Sequence, residues 1–396
     1  MRRVVIVGAG QGGVHAASSL RRLGYAGELT LVSAEACLPY QRPPLSKAFL
    51  LDADPAPVEF HDAAHYESIG ATLVLGDPVT GVDLAAREIS LASGTTTPYD
   101  HLVLATGSRP RPIRDLHGLR NVFHLHDRND AVALGARLRG ARSMLLMGGG
   151  FIGLEIATAA VQLGCSVTVV ERMPSILSHA VPPQVSDFLL QRHRARGVRF
   201  HLGRSVVAHD IEGDRLESVT TDDGARLPAD LVVVGIGSAP STELAERAGL
   251  VVDDGLVVDT RLRTSDPHVS GIGDCVRFPL DDRLERLTSV QHAMDSALHV
   301  AKQIVGQDSP YRPVPWFWTD QAGVKVQMAG APRAEHDRTE VMSGPASGRF
   351  AIRRYRGDRF VGGTTVSMPA EHVKMRRELA AELAPPRSPA TAVNAS

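Results

Sequence analysis

Two glycine-rich turns carry the residues whose types and spacing suggest chemistry. They read Gly-Ala-Gly-Gln-Gly-Gly over residues 8–13 and Gly-Gly-Gly-Phe-Ile-Gly over residues 148–153. In such a turn the first glycine permits a tight bend, the second lets the backbone approach a pyrophosphate, and the last permits close packing of a helix on a strand. The backbone N–H groups at the helix N-terminus attract the phosphate charge. The two turns therefore predict two dinucleotide-binding sites.

The elements around the two turns follow the same order. Residues 4–7 and 144–147 are apolar runs that predict buried strands directly before the turns, and a helical pattern follows each turn. Another apolar strand comes after each helix, over residues 29–32 and 166–170. Apolar strands that alternate with helices are typical of a parallel sheet covered on both faces. Each turn thus has the strand–turn–helix context that a pyrophosphate site requires.

An acidic side chain at the end of the second strand selects the dinucleotide. Glu171 stands there in the second copy, where a carboxylate accepts both ribose hydroxyls and repels a 2′-phosphate. NADH is therefore favoured over NADPH, although Arg172 beside it would accommodate the phosphate. In the first copy Ala34 occupies the strand end, so Glu35, the next residue, is the candidate for binding a ribose.

The bulk composition argues against several classes of protein. A formal net charge of -1 over 396 residues gives no field for nucleic acid or an anionic membrane, and no apolar run is long enough for a membrane span. The 16 histidines are scattered, without the spacing of a zinc site, so no metal is expected. Cys37, Cys165 and Cys275 stand far apart, which excludes a Cys-x-x-Cys dithiol and fits a reducing cytoplasm.

The character of the sequence changes in its last quarter. Residues 313–384 open with Pro-Val-Pro-Trp-Phe-Trp and predict a smaller α+β domain of short strands. The Pro/Ser/Ala-rich tail, residues 385–396, predicts disorder. The length of the chain itself predicts two or three domains.

Several short motifs resemble those of one flavoprotein family. They are Pro-Pro-Leu-Ser-Lys over residues 43–47, Ala-Thr-Gly over 105–107, Gly-Asp-Cys over 273–275, Ser-Val-Gln over 289–291 and Trp-Phe-Trp over 316–318. With these motifs and the two glycine turns, the chain resembles the NADH-dependent ferredoxin reductases that supply electrons to bacterial monooxygenases and ring-hydroxylating dioxygenases. The resemblance covers nearly the whole chain.

This resemblance implies an α/β fold of the glutathione-reductase-like kind. Two Rossmann-like dinucleotide-binding domains, the first for FAD and the second for NADH, would be followed by the C-terminal α+β domain. The FAD-binding domain would comprise residues 1–110 and 242–312, and the NADH-binding domain residues 111–241.

The resemblance also implies roles for individual residues. Lys47 would stabilise negative charge on the reduced flavin, Asp274 would bind the ribityl chain, and Val290 would lie near the pyrimidine edge. Glu155 would border the nicotinamide pocket and Trp318 would lie near the flavin, so Lys47, Glu155 and Trp318 are the candidate catalytic residues. The predicted cofactor-binding residues are Gly8, Gly10, Gly12, Gly13, Glu35, Arg42, Lys47, Val79, Ala105, Thr106, Gly107, His126, Gly148, Gly150, Phe151, Ile152, Gly153, Glu171, Gly237, Gly273, Asp274, Ser289, Val290 and Trp318.

Four positions depart from the family pattern. Ala34 replaces an acidic residue, and His126 stands where an arginine usually contacts FAD. Thr288 and His292 replace a Glu and an Asn that flank the flavin-edge segment. These changes are expected to affect the affinity for FAD and the flavin potential rather than the identity of the cofactor.

Some of these residues have simpler interpretations. Lys47 would otherwise be a solvated loop lysine, and Glu155 would only complement the helix dipole in the first turn of its helix. Trp316 and Trp318 alternate along an extended segment and are expected on opposite faces, with Trp318 the one near the flavin.

Two rival functions stay open at this point. Cys37 lies near Pro39 much as the reactive thiol does in peroxide-reducing relatives, so an NADH oxidase or peroxidase is one rival; the Cys-to-Pro spacing, however, is short by one residue. The other is an interaction protein similar to apoptosis-inducing factor, in which reduction by NADH changes the oligomeric state.

A local excess of positive charge predicts the electron acceptor. Ferredoxins are acidic, so a basic face would attract and orient a two-iron two-sulfur ferredoxin. Without a dithiol, electrons would leave singly from the flavin itself, and the protein is expected to be a monomer or weak dimer. The predicted basic face consists of Arg349, Arg353, Arg354, Arg356, Arg359, Lys374, Arg376 and Arg377.

Overall fold

The computed structural model describes residues 2–56, 58–280, 283–331 and 336–383. In these residues the helices are α1 (Gln11–Arg22), α2 (Ala48–Leu51), α3 (Ala63–Ser68), α4 (Arg128–Leu138), α5 (Phe151–Gln162), α6 (Pro183–Arg194), α7 (Glu243–Arg247), α8 (Val290–Ile304) and α9 (Pro369–Leu383). The strands are β1 (Arg3–Val7), β2 (Glu28–Ser33), β3 (Ala71–Leu75), β4 (Val79–Asp83), β5 (Glu88–Leu91), β6 (Thr96–Pro98), β7 (His101–Leu104), β8 (Ser108–Pro110), β9 (Val122–Phe123), β10 (Ser143–Met147), β11 (Ser166–Glu171), β12 (Arg199–Leu202), β13 (Val206–Glu212), β14 (Arg215–Thr221), β15 (Arg226–Pro228), β16 (Leu231–Val234), β17 (Ser238–Pro240), β18 (Leu256–Val257), β19 (Val269–Gly271), β20 (Val276–Leu280), β21 (Arg283–Glu285), β22 (Trp316–Gln321), β23 (Val324–Ala329), β24 (Arg338–Met342), β25 (Phe350–Arg356) and β26 (Arg359–Val366).

The first sheet is parallel and combines two distant parts of the chain. Its strand order is β19-β7-β1-β2-β3, so the late strand β19 lies beside β7 and β1 occupies the centre. Val5 of β1 pairs with Thr30 on one side and with Leu102 on the other. The apolar run of β1 is buried because helices α1 and α8, which pack on each other, cover the sheet on one side.

A second parallel sheet has the strand order β12-β11-β10-β16-β9. Its central strand β10 leads into the second glycine turn, as β1 leads into the first. The chain passes between the two sheets through β8 and β17, which pair antiparallel, with Pro110 opposite Ser238. This pair places the loops of both sheets next to each other.

The third sheet is antiparallel, with strand order β22-β23-β26-β25-β24, and α9 packs on β26 and β23. Phe360 and Met375 form part of the core between this sheet and α9. The predicted α/β fold with two dinucleotide-binding sheets and a C-terminal α+β domain is confirmed. The predicted disordered tail, residues 385–396, lies outside the described residues.

Among the helices that the structure describes, none has the length and apolar character needed to cross a membrane.

Candidate active site at the junction of the three domains

The first glycine turn forms an open backbone cradle. Gly8 has φ +108°, and a side chain there would collide with the carbonyl oxygen of Ala105. A side chain at Gly13 would collide with the carbonyl oxygen of Gly8, whereas Gly10 faces open space. Gly10 is also the N-cap of α1 and supplies no side-chain cap, so the first N–H groups of the helix are available to an anion. Gly12 lies slightly further along, where α1 packs near Ile272.

The second glycine turn repeats this geometry. Gly148 has φ +102°, and a side chain there would meet the carbonyl oxygen of Gly235. Gly153 packs closely on Leu146, since a side chain at Gly153 would lie 3.1 Å from the Leu146 methyl carbon. Gly150 caps α5 without a side chain. Both cradles therefore have the shape and the N–H donors that fit a pyrophosphate.

Glu171 lies at the end of β11 and faces the second cradle. Its Oε2 accepts from the Gly149 N–H at 2.6 Å, and its Oε1 accepts from the Met173 N–H at 2.7 Å. These bonds fix the carboxylate beside the glycine turn. Arg172 is exposed.

The first cradle has its own acidic residue, and Cys37 lies beside it. Glu35 accepts from the Tyr40 hydroxyl at 2.6 Å and from Arg42 Nη2 at 2.9 Å. Glu35, Cys37, Arg42 and Gly10 line one small cavity. Burial, reinforced by the negative charge of Glu35, raises the pKa of the Cys37 thiol, which disfavours a reactive thiolate.

A larger cavity of about 520 Å³ lies where the three domains meet. Its wall contains eight of the predicted cofactor-binding residues: His126, Gly150, Phe151, Ile152, Gly153, Gly237, Asp274 and Ser289. Thr288 lines it too. The C-terminal domain contributes Trp316, Phe317, Met328 and Arg354. Leu125, Arg286, Leu287, Phe317 and Met328 are among the lining residues that were not predicted, because only the folded chain brings them to the cavity.

Asp274 presents a carboxylate to this cavity. It sits in a short turn in which Gly273 has φ +73°, and its Oδ2 accepts from the Ser108 hydroxyl at 3.1 Å. Burial raises the pKa of the Asp274 carboxyl, while the Ser108 bond and the charge of Arg286 oppose this shift. A carboxylate in this position suits the hydroxyls of a polyol chain, as predicted for the ribityl group.

The carboxylate of Glu155 is the meeting point of three chain segments. Its Oε2 accepts from the Ser46 hydroxyl at 2.6 Å and pairs with Lys47 Nζ at 2.8 Å. Its Oε1 accepts from the Thr319 hydroxyl at 2.6 Å and, weakly, from the Asp320 N–H at 3.4 Å. Glu155 is the fifth residue of α5, beyond its first turn, so the simple dipole interpretation is wrong. Lys47 is paired rather than solvated.

The two tryptophans share one face of β22, so the expectation of opposite faces is wrong. Their ring centroids are 5.5 Å apart, because side chains two residues apart in a strand point the same way. Trp316 lines the large cavity, whereas Trp318 lies behind it and is not part of the wall. The buried Trp316 Nε1 has no hydrogen-bond partner among the described residues, and the Arg376 guanidinium lies 4.4 Å over its ring. An unpartnered donor at the cavity wall fits a bound acceptor group.

Two of the unusual positions differ in location. At the cavity wall, burial and the charge of Arg42 lower the pKa of His126 to about 4, so this ring is neutral near pH 7. His292 instead lies in the core of the first domain, where it stacks on Phe278 at 4.9 Å and contacts the Tyr311 hydroxyl at 3.0 Å. The His292 side chain therefore does not line the cavity, so any influence on the flavin would be indirect.

The remaining predicted residues lie near the first cradle or behind the cavity wall. Ala105, Thr106 and Gly107 follow β7 beside Gly8, with the Thr106 hydroxyl donating to the Ser241 carbonyl at 2.7 Å. Val290 is the first residue of α8. Val79 begins β4, packs on the core of the first sheet and lines neither cavity. Its role as a cofactor contact stays a prediction.

The predicted basic residues do not form one face. Arg353 is only 13% exposed and pairs with Glu371, at 2.8 Å, and with Glu378. Arg354, the next residue of β25, points the other way and lines the large cavity. Arg359 pairs with Glu382. The single basic face is therefore wrong, because adjacent strand residues face opposite sides and acidic residues of α9 neutralise one of them.

Two family models match the chain. Residues 2–297 match the pyridine nucleotide-disulphide oxidoreductase family, and residues 316–395 match the reductase C-terminal family. Rhodocoxin reductase of Rhodococcus erythropolis is 41% identical over 385 residues, which cover 96% of this chain and 90% of that relative.

Solved structures agree with these matches. The ferredoxin reductase for the CYP199A2 system of Rhodopseudomonas palustris has a TM-score of 0.92 and 38% identity, covering 95% of this chain and 94% of that chain. Putidaredoxin reductase, in its covalent complex with putidaredoxin, has a TM-score of 0.90 and 35% identity, covering 94% of this chain and 92% of that chain. The chain therefore belongs to the ferredoxin-reductase branch of the pyridine nucleotide-disulphide oxidoreductase family, and it is an FAD-dependent enzyme that uses NADH.

Proposed function

We propose that this enzyme transfers electrons from NADH, through FAD, to a two-iron two-sulfur ferredoxin that serves a monooxygenase or dioxygenase. The observation that carries the proposal is the 520 Å³ cavity, which joins the second glycine cradle, Asp274 and the tryptophan strand of the C-terminal domain. The relatives named rhodocoxin reductase and putidaredoxin reductase, the latter solved in complex with putidaredoxin, support an electron-carrier protein as acceptor.

FAD, when bound, accepts a hydride from NADH and releases electrons one at a time, and the chain supplies position and charge. The first cradle would hold the FAD pyrophosphate, and Asp274 the polyol chain. Lys47 would place an ammonium beside the flavin ring, where it opposes the negative charge that reduction creates. Glu155 would keep that ammonium in place.

The second cradle would hold NADH with its nicotinamide in the large cavity. Phe151 and Ile152 lie at the start of α5 and line this cavity, and Ile152 is 54% exposed. An apolar surface at this point suits a nicotinamide ring, because it keeps water away from the ring during hydride transfer. Glu171 would accept the ribose hydroxyls and reject a 2′-phosphate.

The acceptor would approach the C-terminal domain. Trp316 lines the cavity, and the Trp318 ring lies next to it, 5.5 Å between centroids and tilted by 34°. Of the basic residues predicted to attract ferredoxin, Arg376 lies over the Trp316 ring and Arg354 lines the cavity itself. Burial lowers the pKa of Arg376, the charge of Asp295 opposes this shift, and a carboxylate of an acidic partner would add to that compensation.

The test is anaerobic rapid mixing of the FAD-loaded enzyme with NADH, followed by cytochrome c reduction with a panel of ferredoxins and with NADH or NADPH. We expect the flavin absorbance to bleach rapidly and cytochrome c reduction to depend on a two-iron two-sulfur ferredoxin. A flavin that NADH does not bleach, or turnover that proceeds equally well without any ferredoxin, would refute the proposal. A cytoplasmic location and a monomer or weak dimer stay predictions.

A further inference from the structure

We infer that Thr319 is a positioning residue: through Glu155 it sets the place of the Lys47 ammonium, and thereby the flavin potential. The inference rests on the proposed function in so far as it takes Lys47 to lie beside the flavin. Thr319 belongs to the C-terminal domain, whereas Lys47 belongs to the first domain. The link therefore passes through a carboxylate of the second domain.

The two oxygens of Glu155 are divided between the two neighbouring domains. Oε2 accepts hydrogen bonds from the Ser46 hydroxyl at 2.6 Å and the Lys47 ammonium at 2.8 Å. Oε1 accepts one from the Thr319 hydroxyl at 2.6 Å. The other donor to Oε1, the Asp320 N–H, is distant at 3.4 Å. Rotation of the carboxylate would break bonds on both sides, and on the C-terminal side the strong bond is that of Thr319.

Burial makes this single hydroxyl important. The Glu155 side chain is 7% exposed and Thr319 is 0% exposed, so water cannot easily replace a lost donor. A buried carboxylate oxygen without its donor shifts toward the remaining positive charge. Loss of the Thr319 hydroxyl would thus draw Glu155 more fully onto Lys47 and neutralise more of the ammonium charge.

The direction of the Thr319 hydroxyl is itself fixed. Thr319 Oγ1 accepts from Gln321 Nε2 at 3.1 Å, which leaves its proton for Glu155. Gln321 Oε1 in turn lies 2.9 Å from His193 Nε2, and burial lowers the pKa of His193 so that the ring stays neutral. A hydrogen-bonded chain therefore runs from α6 through β22 to Lys47. The same strand carries Trp316 and connects the cavity wall to the lysine.

The test compares Thr319→Val, which keeps the shape and removes the hydroxyl, with Thr319→Ser, which keeps it. Thr158→Val is the matched control, because Thr158 Oγ1 accepts from the Ala322 N–H at 3.1 Å across the same domain contact and does not touch Glu155. The readouts are the flavin midpoint potential and the rate constant of anaerobic bleaching by NADH, together with the melting temperature of the FAD-loaded proteins.

We expect Thr319→Val to lower the equilibrium constant for two-electron flavin reduction about tenfold, which is a potential about 30 mV more negative. Bleaching should slow about five- to tenfold, less than a directly lost hydrogen bond to a charged group would cost, because Thr319 acts on the ammonium only through Glu155. Thr319→Ser and Thr158→Val should stay within about twofold of the unaltered enzyme.

Thr319→Ala gives a second version of the same loss if the valine variant does not hold FAD. The inference is overturned if either FAD-loaded variant has the potential and bleaching rate of the Thr158→Val control, or if only the melting temperature changes. It is also overturned if Thr319→Ser shows the full shift. Failure of the proposed function looks different, since NADH would then not bleach the unaltered enzyme either.

Discussion

Replacing Glu171 by Gln should remove much of the enzyme's preference for NADH over NADPH. The two carboxylate oxygens accept from the N–H groups of Gly149, at 2.6 Å, and of Met173, at 2.7 Å. Glutamine has nearly the same volume but one oxygen fewer. Its NH₂ group would face one of these two N–H donors, so the side chain loses both its charge and its fixed orientation.

The size of the effect follows from two contributions. A hydrogen bond from a ribose hydroxyl to a charged acceptor contributes about 1.5–3 kcal/mol, so kcat/KM for NADH should fall about 10- to 100-fold. A carboxylate and one phosphate charge about 4 Å apart repel by about 4 kcal/mol at an effective dielectric constant near 20, and solvent at this partly exposed site reduces that value. Removal of the repulsion should raise kcat/KM for NADPH about tenfold.

The assay is steady-state cytochrome c reduction with each dinucleotide in the presence of a working ferredoxin. Glu35→Gln is the matched control, because Glu35 also holds two donors, Tyr40 and Arg42, but beside the first cradle. This control should change the affinity for FAD and leave the NADH-to-NADPH ratio as it was. An unchanged ratio in Glu171→Gln, or an equal change in Glu35→Gln, would refute the assignment of the second cradle to NADH.

Further predictions concern the cradle, the thiol, the charges and the oligomeric state. Gly13→Ala should abolish FAD retention, measured as flavin absorbance per protein, because the new methyl group would collide with the carbonyl oxygen of Gly8. Gly140→Ala is the control, because Gly140 does not have a positive φ and a new methyl group there would approach no atom closer than 4.0 Å. Cys37→Ser should leave ferredoxin reduction within about twofold, since burial raises the pKa of this thiol; loss of all turnover would instead favour the oxidase or peroxidase. Arg353→Ala should lower the free energy of unfolding by about 2 kcal/mol in urea titrations, because it removes the 2.8 Å ion pair of the buried Glu371 and leaves it the longer pair with Lys374, at 3.7 Å. Arg376→Gln should instead leave stability nearly unchanged and reduce kcat/KM for ferredoxin about three- to tenfold at low salt, with the difference vanishing at high salt. If Arg353→Ala and Arg376→Gln reduce kcat/KM for ferredoxin equally, the assignment of a structural role to Arg353 and a docking role to Arg376 is contradicted. Light scattering should give the same mass with and without NADH, and a doubling with NADH would favour the sensing function.

The cradles were predictable from sequence because their chemistry is local. A strand, three spaced glycines and a helix lie within one short stretch, and a side chain at Gly8, Gly13 or Gly148 would collide with a backbone carbonyl oxygen. The same holds for Glu171, which is the last residue of its strand and faces the turn 22 residues earlier. Local spacing was therefore enough to predict two dinucleotide sites.

The junction of the domains was not predictable in this way. Glu155 and Thr319 are separated by 164 residues, and Ser46 and Glu155 by 109, so no local pattern relates them. The resemblance pointed to Lys47 and Glu155 individually, but the bond from Thr319 that joins them to the C-terminal domain depends on how the third sheet packs on α5.

Charge was misjudged for a related reason. The count of basic residues over β25 and the start of α9 stopped at Arg377. Glu378 is the next residue and Glu382 lies about one turn beyond it, and these two pair with Arg353 and Arg359. The excess of basic residues counted along the sequence thus overstated the positive potential of this surface. The alternation of Arg353 and Arg354 along a strand, by contrast, was readable in the sequence and should have divided the cluster into two sides.

The paired strands β8 and β17 have a topological consequence. Since Pro110 lies directly opposite Ser238, the chain leaves the first domain and returns to it at neighbouring points. The two ends of the intervening segment are therefore adjacent, as in an inserted domain. A short turn from residue 110 to residue 238 would restore a continuous first domain. The enzyme is built as one nucleotide-binding module carrying a second one in a loop.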